Sequence, residues 1–240
     1  MWRAFLIAIL LFSLVGRRAS ADGLNLAWND CAASHAAAGD LSFPCDDELR
    51  TFTLVGSFIA PGGIAHLCAE DLTVTIRSSG GEVPDWWRLD DGGCRSNSLT
   101  SGFDFPGMID CASPWGSAAM GASLFERFDD GPSHWRIRAV CAKPVNQAGP
   151  VSPGREYGAF RLSFDAAHTL GGACAGCAEG LCLEFTSLTL YQPGTEADFV
   201  LTTAATRSCV TWQGGGADCP GACHQQTRHS TWGQVKNTYR

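Results

Sequence analysis

The chain has 240 residues, 12 of them cysteine, with 17 basic against 24 acidic side chains and a net charge of −7. Such an acidic balance makes nucleic acid and anionic lipid poor partners. One β-sandwich with elaborated loops fits this length.

The N-terminus carries Arg3, then an apolar run over 5–15, then Ala19, Ser20 and Ala21. This reads as a secretory signal over 1–21, cleaved before Asp22. The run is too short to span a bilayer, and no later stretch has the length of a membrane helix. Every cysteine follows the signal, so the mature chain is expected in an oxidising place: secreted, periplasmic or on the cell surface. Without the signal, 219 residues remain, with 14 basic and 24 acidic side chains and a net of −10.

Period-two alternation then dominates. Strands are expected at 24–28 and 51–59, and at 72–77, where Leu72, Val74 and Ile76 alternate with Thr73, Thr75 and Arg77. Further strands are expected at 99–105 and 123–128. The segment 134–140 points Trp135, Ile137 and Ala139 inward and Arg136 and Arg138 outward. Phe160, Leu162 and Phe164 form another such face. Within 181–191 the apolar parity shifts from odd to even, which predicts a β-bulge near Thr186-Ser187 or a crossing between sheets. Short strands at 199–202 and 209–212 complete the set. Turn clusters such as Pro61-Gly62-Gly63 and Gly92-Gly93 separate these runs, and no long amphipathic helix intervenes. The expected fold is all-β, an antiparallel β-sandwich of jelly-roll or Ig-like type stapled by disulfides, over 22–212.

Twelve cysteines permit six bridges. Parity points Cys68 and Cys141 into one core, so a Cys68–Cys141 bridge is expected, while Cys31–Cys45 and Cys94–Cys111 are expected as loop closures between sequence neighbours. Cys174, Cys177, Cys182 and Cys209 are left without assigned partners by spacing alone. The Cys174-x-x-Cys177 spacing lacks the βαβ setting of a thiol oxidoreductase and reads as structural.

After Trp212 a Gly-rich linker begins at Gln213-Gly214-Gly215-Gly216 and leads to a tail, so 213–240 is set apart from the sandwich. Cys219, Cys223, His224 and His229 form the ligand set of a zinc site, yet Cys223 and His224 are adjacent and oxidising surroundings favour a Cys219–Cys223 bridge. No metal or cofactor is therefore expected. In 230–240, Thr231 and Gln234 have capping-box spacing, and Trp232, Val235 and Tyr239 share one face of a short helix. That segment is read as a tail packed on its own domain or frayed, with a docking or sorting element as the alternative.

Trp86-Trp87, after Pro84-Asp85, and Trp115 in a Pro-Trp-Gly loop are the candidate ligand platforms, since an exposed indole stacks on a sugar ring; the competing role is to cap the core. The chain lacks a Gly-x-Ser-x-Gly elbow, a His-Glu-x-x-His helix and a Walker loop. The Asp-Asp-Gly turns lack the alternating ligands of a calcium loop and read as solvated turns.

The segment 24–31 after the signal, Pro84-Asp85-Trp86-Trp87, Cys174-x-Gly176-Cys177, Val210-Thr211-Trp212-Gln213 and the 232–240 ending together resemble a group of uncharacterised exported bacterial proteins rich in Cys and Trp. The outline is also similar to cohesin-like and carbohydrate-binding sandwiches. The resemblance implies a sandwich and brings no activity with it. The functional expectation is a secreted or cell-surface, non-enzymatic binding or structural module for a carbohydrate or a protein. Its alternative is a secreted glycan-directed hydrolase with unidentified catalytic carboxylates.

Overall fold

The computed structural model describes residues 22–78, 80–108, 110–127, 133–215 and 219. The expected signal over 1–21 and most of the tail lie outside these residues. Eleven strands are formed among them: β1 Gly23–Trp28, β2 Asp40–Leu41, β3 Thr51–Ile59, β4 Ala69–Arg77, β5 Leu99–Gly102, β6 Met120–Arg127, β7 His134–Ala142, β8 Glu156–Asp165, β9 Leu181–Tyr191, β10 Phe199–Leu201 and β11 Cys209–Trp212. The helical elements among the described residues are two single 3-10 turns, at Asp85–Trp87 and Val145–Gln147. The protein is thus an all-β, disulfide-stabilised sandwich.

One sheet runs β1-β3-β8-β5, and the other runs β2-β11-β9-β4-β7-β6 with β10 also paired to β9. All pairings are antiparallel except β2 with β11. Alternation decides which residues enter the space between the sheets. Leu26, Leu54, Phe160 and Leu162 come from one layer and Leu72, Val74, Ile137 and Phe185 from the other, all buried. Across the layers Phe160 meets Phe185 edge to face, with ring centroids 5.0 Å apart.

The parity shift in β9 is a bulge. Thr73 pairs with Ser187 and Val74 with Phe185, so Thr186 is the extra residue that lets Phe185 and Leu188 both face the core. β3 and β8 have a second register shift, at Gly56/Ser57. There the Phe160 ring lies over Gly56, so close that a Cβ on Gly56 would stand 2.0 Å from a ring carbon.

Residues 42–50, 78–98 and 166–180 all emerge at one end of the sandwich, because they connect β2 to β3, β4 to β5 and β8 to β9. Residues 213–215 belong to this packed end and do not form a free linker. Gln213 donates its backbone N–H to the Leu41 carbonyl (2.8 Å) and its side-chain amide to the Phe43 carbonyl (2.8 Å). Gly215 lies against Leu181, where a Cβ would come within 2.1 Å of the Leu181 nitrogen.

Gly56→Ala should destabilise the sandwich by roughly 1–3 kcal/mol, since Phe160 has no room to retreat in a close-packed core. Chemical denaturation of the two proteins checks it, and equal midpoints would show that the ring can move.

Candidate functional site

Disulfides organise the loop end. Cys45 is bonded to Cys177, Cys94 to Cys174 and Cys182 to Cys219, with Cα separations of 6.0, 5.6 and 5.1 Å. Elsewhere Cys31 is bonded to Cys111, tying the loop after β1 to the loop after β5. Cys209 is disulfide-bonded as well. The pairings expected from spacing are therefore corrected: Cys31 does not close on Cys45, Cys94 does not close on Cys111, and Cys219 is committed to Cys182 and not to Cys223. The bridged residues are 80, 132, 80 and 37 positions apart, because the sandwich brings loops from distant parts of the chain together.

Beneath these bridges lies an aromatic stack. Trp212 is stacked on Trp86, with centroids 4.9 Å apart and an interplanar angle of 25°. Trp87, Phe43 and Phe52 meet Trp212 edge to face at 5.4, 5.2 and 5.0 Å. The Arg95 guanidinium lies over the other side of the stack, 3.5 Å from the Trp86 ring centroid, and is fully buried. It donates to the carbonyls of Trp86 (2.8 Å), Ala167 (3.1 Å) and Asp165. Burial lowers its pKa to about 10, with Asp165 opposing the shift, so it remains charged at neutral pH. One cation thereby fastens the 78–98 loop to the 166–180 loop. Trp86 completes the fastening by donating from its indole to Thr169 (3.0 Å).

All three proposed aromatic platforms are buried: Trp86 and Trp87 at 0% exposure and Trp115 at 2%. An extended backbone at Trp86-Trp87 would have put one ring outside. Pro84 instead opens a 3-10 turn, closed by the Trp87 N–H on the Pro84 carbonyl (2.9 Å), and both rings turn inward. The rings therefore offer no open face to a sugar. Trp115 lies 5.9 Å from the Lys143 ammonium, which donates to the Pro114 carbonyl (2.7 Å).

A different surface is left open at this end. Leu49 is 95% exposed and Leu170 is half-exposed, and the two loops are joined where Leu170 donates its N–H to Glu48 (2.9 Å). The same two loops carry exposed Asp46, Glu48 and Glu179 along with Arg50, and Asp91 is exposed on 78–98. These loop tips therefore show large apolar side chains among mostly acidic ones, above the disulfides and the stack.

A second polar cluster lies at the opposite end of the β4–β7 ladder. Glu70 pairs with Cys141, and Cys68 accepts at its carbonyl from the Lys143 N–H (2.9 Å). Cys68 and Cys141 are free thiols here, so the expected bridge between them is absent. Shared parity put them on one face without bringing them directly opposite each other, since Cys141 stands across from Glu70. Both Glu70 carboxyl oxygens are buried without a hydrogen-bond partner, and burial raises its pKa well above the carboxylate range. Burial, then the neighbouring Glu70, pushes Cys141 up to about 12; Cys68 is also raised, first by burial and then by Asp198. Neither thiol has the thiolate character of a nucleophile.

Among the described residues no group of three or more His, Cys, Asp or Glu side chains could hold a metal ion. Of the zinc candidates, Cys219 has given its sulfur to Cys182, while Cys223, His224 and His229 lie outside the described residues. No helix among the described residues is long and apolar enough to cross a membrane.

Sequence reasoning missed Arg95 and Glu70. Glu70 carried a signal, since it shares parity with the core residues Leu72 and Val74. Arg95 carried none, because the carbonyls of Trp86, Ala167 and Asp165 converge on it only once the loops have folded together.

No family model matches the chain, and neither does any curated protein. Among solved structures it is similar to a cohesin module from Clostridium perfringens ATCC13124 family 33 glycoside hydrolase, with 8% identity and a TM-score of 0.39, over 80% of this chain and 93% of that one.

Arg95→Ala should lower the unfolding free energy by roughly 3 kcal/mol by orphaning three carbonyls, and Arg95→Lys should recover little because a point cation cannot reach all three. Urea titrations check both, and full recovery by lysine would overturn the geometric argument. For Glu70 the native pKa lies above the unfolded one, so its contribution is most favourable below the unfolded value and is lost as pH rises toward the native value. Glu70→Leu should therefore gain on the wild type with rising pH, by at most about 1.4 kcal/mol per unit. Melts at pH 4.5 and 7.5 that differ by a constant amount would refute it.

Proposed function

We propose that the chain is an exported, non-enzymatic binding module that presents the Leu49–Leu170 platform to a protein partner. The observation that carries this reading is the clamping of three loops into one rigid surface by Cys45–Cys177, Cys94–Cys174 and Arg95. A rigid scaffold that leaves large apolar side chains in water at its loop tips is the usual form of a recognition surface. The exposed acids Asp46, Glu48, Asp91 and Glu179 on these loops favour a ligand with basic residues beside an apolar contact and disfavour nucleic acid. Burial of Trp86, Trp87 and Trp115 removes the rings on which a sugar would have stacked, which supports a protein ligand over a glycan. Multiple disulfides accord with export to an oxidising compartment.

Selection of a displayed random-peptide library on the protein tests the reading, alongside a panel of soluble polysaccharides. Selected peptides should combine basic and apolar residues. Leu49→Asp with Leu170→Asp should weaken them at least about tenfold, near 1.4 kcal/mol, without changing the melting temperature. Binding that survives the double substitution would reject the platform. Saturable glycan binding would reject the protein ligand, and release of sugar from any polysaccharide would reject a non-enzymatic role.

A further inference from the structure

Four of the seven large exposed apolar side chains among the described residues share one face. Met120 and Leu124 on β6, Val140 on β7 and Val200 on β10 are 80, 58, 43 and 64% exposed, and all four project from the outward face of the seven-stranded sheet. Alternation places them there: Phe125, Cys141 and Leu201 beside them in sequence are buried. The register groups Met120, Leu124 and Val140 around Ala122, which stands opposite Val140, while Val200 lies on the same face beyond Asp71 and Thr189. β6 is also an edge strand, and an apolar face beside an open edge is one that soluble proteins normally cover.

Cys182 connects this face to the rest of the chain. It alternates with the core residues Leu181 and Leu183, so it projects outward beside Glu184, which pairs with Arg77 on the same face. Its partner Cys219 is therefore held on the outward face of the sheet. The next 21 residues, 220–240, contain no acidic side chain, three basic ones (Arg228, Lys236 and Arg240) and the apolar set Trp232, Val235 and Tyr239. Residues 22–219 hold eleven basic and 24 acidic side chains, a net of −13. The face itself carries Arg138 beside Asp71 and Arg77 beside Glu184, so what the segment matches there is the apolar set.

The distance is also met. From Cys182 to Leu124 is three strand steps, about 14 Å, across the sheet and about 13 Å along it. The thirteen residues from Cys219 to Trp232 span up to about 45 Å when extended.

We propose that segment 220–240 folds back from its Cys219 tether onto the outward face of the seven-stranded sheet and lays Trp232, Val235 and Tyr239 across Met120, Leu124 and Val140. The spacing of three and four residues places that apolar set on one helical face. The segment then shields the β6 edge within its own chain. This surface is separate from the Leu49–Leu170 platform, and either can stand without the other.

Peroxide oxidation of Met120, followed by peptide mapping, tests it on the full chain, on a chain lacking 231–240 and on Trp232→Ser. Oxidation in the full chain should be at least about fivefold slower than in the deletion, with Trp232→Ser restoring most of the rate. Tryptic cleavage after Lys236 should be slow in the wild type and fast in Leu124→Lys, an exposed substitution that leaves the core intact. Equal oxidation in all three proteins, or equal cleavage with and without Leu124→Lys, would overturn the proposal. So would protection that disappears on dilution, since the occupant would then be a second copy of the chain.

Discussion

The stack of Arg95 on Trp86 on Trp212 is the contact on which the rest of the loop end depends. Trp212 comes from β11, Trp86 from the 3-10 turn after β4, and Arg95 from the same long loop. No two of these belong to neighbouring strands of one sheet. A buried guanidinium is costly to desolvate, and three carbonyl acceptors together with an indole face offset that cost. The Trp86 and Ala167 carbonyls belong to connections between strands, and the Asp165 carbonyl to the end of β8, so satisfying the cation also joins the two loops to the sheet. The disulfides then hold what the stack has arranged, with Cys174 and Cys177 fixing the 166–180 loop to two different neighbours.

The two sheets are unequal in what they show to solvent. The inner faces form one continuous core, while the outward face of the seven-stranded sheet keeps several large apolar side chains in water. Only the opposite face of each strand is needed to hold the sheets together, so these exposed residues answer to some constraint other than folding. The buried Glu70 is the complementary anomaly, an acid on the inner face without a partner, whose burial favours the protonated form. Burial, first of all, raises the pKa of the neighbouring thiols of Cys68 and Cys141 and keeps them unreactive.

The sandwich was legible in the sequence because period-two alternation is a local property of each strand, and even the bulge in β9 appeared as a change of parity at Thr186-Ser187. The tryptophans misled for an equally physical reason. Alternation holds for extended backbone, and the proline before Asp85 sets up a turn in which two adjacent indoles enter the same core. Cysteine spacing misled more widely. It finds closures between sequence neighbours, whereas Cys45 and Cys177 are brought together by the packing of two sheets.

The sequence by itself determined the strand-forming segments, the inward faces, the acidic surface and the dense cysteine content, because each depends on composition or on neighbours a few residues away. Only the tertiary structure decided which loops share an end, which cysteines pair, that Arg95 is buried on Trp86, and that Leu49 and Leu170 stand together. Those relations join residues tens of positions apart. They arise when the two sheets close on one core, an event governed by long-range packing that leaves no periodic trace in the chain.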